Sequence, residues 1–221
     1  MCGRFTLAAS IEDIAAEFGV ANITVEHEPR YNVAPTQDVL VLVQNGERRL
    51  EKFRWGLAPH WSKGPSARYS MINARAESVA EKPSYRVPFE KRRCLVLADG
   101  FYEWQKVGDA KVPMYIRLKS GRVFGLAGLW DLWVPAEGGE PLRSCTIITT
   151  TPNKLLKPIH DRMPVILPDD AINLWLTLDG PKKEELLSLL QPYPESDLEA
   201  YSVSRYVNSP SNDSPRCIQP A

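Results

Sequence analysis

The sequence predicts an α+β fold, a single domain built on a mainly antiparallel, curved or barrel-like sheet with short flanking helices. Three observations carry that expectation. Strand-like runs follow one another across turn signals rather than alternating with helices, as an antiparallel sheet requires. The segments with helical periodicity are short, one near the start, two mid-chain and two late. No internal repeat and no linker-like stretch divides the 221 residues, and a 43% hydrophobic content is enough for one sizeable core.

The elements follow in order. Ser10 reads as the N-cap of a short amphipathic helix, with Ile11, Ile14, Ala15 and Phe18 on one face and Gly19 as its stop. Residues 27–37 are a Pro-punctuated loop. Segments 38–43 and 49–55 flank Asn45-Gly46, a strong hairpin signal. Residues 56–72 read as loop, and 74–80 and 85–91 as short helices. Strands are expected at 94–98, 101–107, 113–118, 122–129 and 144–149, with turns at Gly108-Asp109 and Ser120-Gly121. Two late helices are expected at about 170–177 and 181–190. The domain is drawn at 2–208, leaving 209–221 as a Ser/Pro-rich tail.

Composition bounds the function. No apolar run approaches the ~20 residues needed to span a bilayer, and no targeting segment is evident, so a soluble, cytoplasmic protein is expected, with no membrane partner; a monomer is expected alongside. Cys2, Cys94, Cys145 and Cys217 form no Cys-x-x-Cys pair, and His27, His60 and His160 are equally scattered. That pattern gives no zinc site and no disulfide framework, so neither metal nor cofactor is expected. Net charge is zero with pI near 6.8, so no global field draws nucleic acid. Locally the balance differs. Residues 48–93 hold twelve Lys or Arg against four Glu and no Asp, interleaved with Trp55, Trp61, Tyr69 and Tyr85. Cations that follow phosphates and rings that stack on bases suit single-stranded nucleic acid, although a solvated charged face gives the same pattern.

The most informative residue is Cys2. Removal of Met1 would leave a cysteine with its α-amine and thiol on adjacent carbons, with reference pKa values of about 7.7–8.0 and about 8.5. Such a pair attacks one aldehyde twice, the amine forming a Schiff base and the thiol closing a five-membered thiazolidine. Other readings stand beside this. One upstream residue cannot supply a lipoprotein signal, and Gly3 comes one place too late for myristoylation. A buried structural cysteine remains open. So does an amidohydrolase of the N-terminal nucleophile type, since glutamine amidotransferases also begin Met-Cys-Gly.

Seven segments, in order, narrow these alternatives. They are Met1-Cys2-Gly3-Arg4, Arg30-Tyr31-Asn32-Val33-Ala34-Pro35-Thr36, Trp55-Gly56-Leu57-Ala58-Pro59, Asn73-Ala74-Arg75-Ala76-Glu77, residues 93–104 ending Asp99-Gly100-Phe101-Tyr102-Glu103-Trp104, residues 149–153, and Ile159-His160-Asp161-Arg162-Met163-Pro164. Together they closely resemble the SRAP family, the SOS response-associated peptidase domain proteins that crosslink abasic sites in single-stranded DNA. Nothing after Met-Cys-Gly resembles the amidotransferases. The resemblance implies that Cys2 is the nucleophile and that Glu103 stabilises or accepts protons from the amine and Schiff base. It implies that His160 does acid–base work on the opening sugar and that Asn73 orients the reacting groups. It further implies phosphate contacts from Arg4, Arg75 and Arg162, Thr149 beside the site, and Pro35, Trp61 and Trp104 supporting or wedging the flanking nucleotides. The family name implies a peptidase, here secondary and directed at Met1.

Each residue also has a plainer reading. Glu103 is a possible water-facing strand position, His160 a turn histidine beside Asp161, and Asn73 an N-cap for a helix from Ala74. Trp61 and Trp104 fit a core, and Arg75 fits an internal pair with Glu77 or another carboxylate. Ser62 follows Trp61 where some relatives carry a second Trp, which weakens the stacking inference there.

Overall fold

The structure is a computed structural model that describes residues 2–64 and 71–221; the readings made for Met1 and Tyr69 lie outside them. Strand β1 (Phe5–Leu7) leads into α1 (Ile11–Phe18), β2 (Arg30–Val33) and the hairpin of β3 (Asp38–Asn45) and β4 (Glu47–Trp55). After β5 (Asn73–Arg75), helix α2 (Pro83–Lys91) precedes β6 (Arg93–Ala98), β7 (Gly100–Val107), β8 (Ala110–Leu118), β9 (Phe124–Trp133) and β10 (Leu142–Thr150). The short β11 (Met163–Pro164) and β12 (Ile166–Leu167), helices α3 (Asp169–Leu176) and α4 (Lys183–Ser188), and β13 (Leu198–Ser202) follow.

Local chemistry explains several boundaries. The Ser10 hydroxyl accepts from the Asp13 amide at 3.1 Å, satisfying an orphan donor of α1. Gly19 ends that helix in the left-handed conformation, at φ 63°. Gly46 turns the β3–β4 hairpin at φ 77°.

One sheet runs β13-β8-β7-β1-β2, antiparallel throughout. In the other, β10-β4-β3-β6-β9 closes into a five-stranded barrel when β9 pairs back onto β10. The expected α+β class with a mainly antiparallel, barrel-like sheet is therefore observed. Parallel pairing occurs where β10 meets β4 and β5.

The two faces of the barrel strands build two cores. Leu40, Leu42, Leu50, Leu95 and Leu97 pack with Ile14, Phe18, Phe89 and Trp175 from the helices. Val41, Phe53, Trp55, Val96 and Ile147 join Phe5, Phe101 and Ile116 from the other sheet. A third, smaller cluster of Tyr102, Tyr115, Val203, Val207 and Cys217 gathers where the end of the chain packs on β7 and β8.

Three local expectations differ from the structure. Residues 74–80 are not a helix: Asn73–Arg75 pairs in parallel with residues 147–149, leaving only a 3-10 turn at Ala76–Ser78. Tertiary pairing overrides the helical propensity of that alanine-containing stretch. The 27–37 loop contains β2, an edge strand on β1. Residues 209–221 are packed rather than trailing, with Asp213 accepting from the Tyr31 amide and Cys217 fully buried.

Candidate active site

Cys2 lies at the entry to β1, which is held between β2 and β7 in the interior of its sheet. It is fully buried. Burial pushes its thiol well above the ordinary range, and the Glu103 carboxylate adds to that. Asn73 reaches Cys2 from β5, its Nδ2 donating to the Cys2 carbonyl at 2.9 Å. The Asn73 Oδ1 is buried and has no hydrogen-bond partner among the described residues. The Tyr85 hydroxyl donates to the Asn73 carbonyl at 3.2 Å, which steadies the short strand from α2. Asn73 is thus a strand residue and not an N-cap.

Glu103 stands on β7, two residues beyond Phe101, which pairs with Phe5 of β1. Strand alternation turns it inward with Phe101. It is 3% exposed, which excludes the water-facing reading. Burial raises its pKa, and the neighbouring His160 works in the opposite direction. His160 Nε2 lies 3.8 Å from a Glu103 oxygen. Its Nδ1 accepts from the Arg162 amide at 3.0 Å and lies 3.0 Å from Asp161 Oδ1. A neutral ring accepting at Nδ1 carries its proton on Nε2, the nitrogen that faces Glu103. A protonated ring has carboxylates near both nitrogens. Four residues from four separate segments therefore meet, with a carboxyl and an imidazole side by side.

The expected DNA contacts divide by environment. Arg75 is exposed at the end of β5 and forms no ion pair among the described residues. Glu77 instead accepts both ends of the Arg162 guanidinium, at 2.6 and 2.9 Å, and Arg162 Nη2 also donates to the Thr149 carbonyl at 2.5 Å. Thr149 is buried, and its backbone pairs with Arg75 on one side and Pro164 on the other. Arg4 donates to Asn32 Oδ1 at 2.7 Å and to the Val207 carbonyl at 2.9 Å, with its guanidinium 5.7 Å from the Trp104 ring. Trp104 is half-buried and donates to Asn208 Oδ1 at 2.9 Å. Trp61 is 59% exposed, which removes the core reading. Pro35 is half-buried beside Thr36, whose left-handed backbone (φ 73°) donates to the Trp55 carbonyl. No hydrogen bond among the described residues joins Pro35 or Trp61 to the Cys2 cluster.

Asn32 was not picked out by sequence reasoning. Fully buried, it accepts from Arg4 and donates to the carbonyls of Val207, Ser209 and Asn212. Its signal was its place inside the Arg30–Thr36 motif. Among the described residues no group of His, Cys, Asp and Glu gathers as a metal site.

Comparison with known proteins places the whole chain in a family. The family model for SOS response associated peptidase (SRAP) covers residues 1–210. Abasic site processing protein YoqW of Bacillus subtilis is 50% identical over 99% of both chains, and YoaM of the same organism is 48% identical over 97% of this chain and 96% of its own. HMCES of Xenopus tropicalis, also named an abasic site processing protein, is 35% identical over 87% of this chain and 66% of its own. A crystal structure of a Bacteroides thetaiotaomicron protein superposes with a TM-score of 0.90 at 30% identity, covering all of both chains. The chain belongs to the SRAP family.

Proposed function

We propose that this protein is an abasic-site sensor that binds single-stranded DNA and traps the lesion covalently through Cys2. The observation that carries the reading is the meeting of Cys2 with Asn73, Glu103 and His160. An abasic deoxyribose is in equilibrium with an open-chain aldehyde. His160 supplies a proton to the ring oxygen as the sugar opens. With Met1 removed, the α-amine of Cys2 adds to the aldehyde carbon, and loss of water gives the Schiff base. The thiol then adds to the same carbon while its proton leaves, and the thiazolidine is complete with one water released overall. Because burial keeps the Cys2 thiol protonated, ring closure needs a base. Glu103 suits that role, since its own proton affinity is raised by the same burial. Asn73 holds the Cys2 carbonyl, and its second amide atom is available to the reacting groups.

Arg75 would contact a phosphate directly, and Trp61 offers an exposed ring for an unpaired base. Removal of Met1 by the same nucleophile is a secondary activity in this reading. The protein acts as a soluble, DNA-associated monomer.

The test is a denaturing gel of the protein with abasic and intact oligonucleotides. A lesion-dependent shifted band is expected. Cys2→Ala should lose the stable band yet keep an adduct trapped by borohydride, since its amine still forms a Schiff base. A blocking N-terminal tag should abolish both. Full crosslinking by a tagged protein would overturn the N-terminal mechanism.

A further inference from the structure

The strand that carries Glu103 runs on past the site into a hairpin whose charges lack an internal explanation. On the β7–β8 hairpin Lys106 lies directly opposite Lys111. Like charges facing each other across an antiparallel pair are unfavourable. Both side chains are exposed, and neither forms an ion pair among the described residues. Alternation along β7 puts Lys106 on the face of Trp104 and Tyr102, opposite to that of Glu103. Asp109, Ala110 and Lys111 together with Arg205 and Asn208 line an open groove of about 510 Å3. Arg205 is exposed on the 3-10 turn Arg205–Asn208, which the end of the chain brings against β8. Asn208 also receives the Trp104 indole, and Trp104 is the ring beside Arg4. A track of Arg4, Trp104, Lys106, Lys111 and Arg205 thus leads away from Cys2, with Asp109 as the acidic residue in the groove.

We infer that this groove binds the phosphodiester backbone of DNA flanking the lesion on one side. Opposed lysines with no carboxylate partner are stabilised by an anion laid between them, and a phosphate backbone supplies anions in a row. Trp104 at the near end of the track has a face for the first base beyond the lesion. The groove would thereby set how much flanking strand the protein engages, and from which side. This rests on the crosslinking reading for its biological setting, but the binding itself can be measured without crosslinking.

The experiment uses the wild-type protein and K106Q/K111Q with oligonucleotides that carry a tetrahydrofuran abasic analogue, which has no aldehyde. One has two nucleotides on each flank, one is extended by six on the 5′ side, one by six on the 3′ side. Wild type should gain affinity when one flank is extended and not the other. K106Q/K111Q should lose that gain, with a log K against log salt slope shallower by about 1.4 for two phosphates on the extended strand. Crosslinking of the shortest true abasic oligonucleotide should proceed at the wild-type rate. Equal gains in both proteins would overturn the inference, as would a loss that is the same at every length or on both flanks. Should the double variant melt early, R205Q reads the same groove from the other wall. If wild type crosslinks nothing, the proposed function fails, while the flank-dependent affinity still decides the groove.

Discussion

Replacing Arg75 by Ala isolates one electrostatic contact, because the other two candidate arginines have structural work. Arg162 is 12% exposed, forked on Glu77 and bonded to Thr149, and Arg4 is bonded to Asn32 and Val207. Arg75 is exposed and forms no ion pair among the described residues. For single strands, each phosphate neutralised contributes about −0.7 to the slope of log K against log salt. Between 50 and 200 mM salt the logarithm of concentration changes by about 0.6, so one contact accounts for about a 2.6-fold change in affinity. R75A should therefore bind more weakly than wild type at every salt, yet lose about 2.6-fold less over that interval. Its melting temperature should stay within about 2 °C of wild type, as for a surface change of about 0.5 kcal/mol in a chain this size. R162A should differ by losing stability as well, since it strands Glu77 and the Thr149 carbonyl. Fluorescence anisotropy on a labelled oligonucleotide at four salt concentrations, with melts of each protein, makes the comparison. An R75A slope equal to wild type would refute the assignment.

Glu103→Gln and His160→Ala should each slow crosslinking or its reversal by about 10²–10⁴-fold in single-turnover assays, the usual range for acid–base groups, with folding retained. Gly100→Ala should destabilise by about 1–3 kcal/mol, or lower the melting temperature by about 2–12 °C. A Cβ at Gly100 would overlap the Tyr115 hydroxyl, which is hydrogen-bonded to Thr6 of β1. Hydrogen bonding to Arg162 holds the Glu77 carboxyl below the usual carboxylate range. The stabilisation is therefore complete above the unfolded pKa of about 4.3 and fades as pH falls through the lower folded value. Glu77→Gln should melt slightly below wild type at pH 7, by about 0–1 kcal/mol for so exposed a pair, and the two melts should converge in acid.

What could be read from the sequence follows the range of the interactions. The α1 helix was legible because its cap, apolar face and stop lie within ten residues, and the β3–β4 hairpin because its turn is local. The strand at Asn73–Arg75 was not, since its hydrogen bonds go to residues some 70 positions away, while alanine locally favours a helix. A barrel-like sheet was foreseen, but which strands close it, β9 onto β10, and the cover provided by residues 204–218 were invisible for the same reason. In the site, Cys2 carried its own chemical argument. Glu103 and His160 were separable from ordinary strand and turn residues only through the family resemblance, because burial decides their role and burial is a tertiary property. The plainer alternative for Arg75, an internal pair with Glu77 or another carboxylate, rested on sequence proximity, but the fold gives Glu77 to Arg162, 85 positions on.

The interior position of β1 has a consequence for the order of events during synthesis. β1 leaves the ribosome first, yet its neighbours are residues 30–33 and 100–101, Cys2 waits for Asn73, and Arg4 waits for Val207. At about 5–20 residues per second, the nascent amino terminus stays undocked for several seconds before β7 exists, and longer before the final turn seals it. Any external enzyme that trims the terminus has that interval. Once β1 closes, Cys2 is 0% exposed, and that interval for an external trimming enzyme ends.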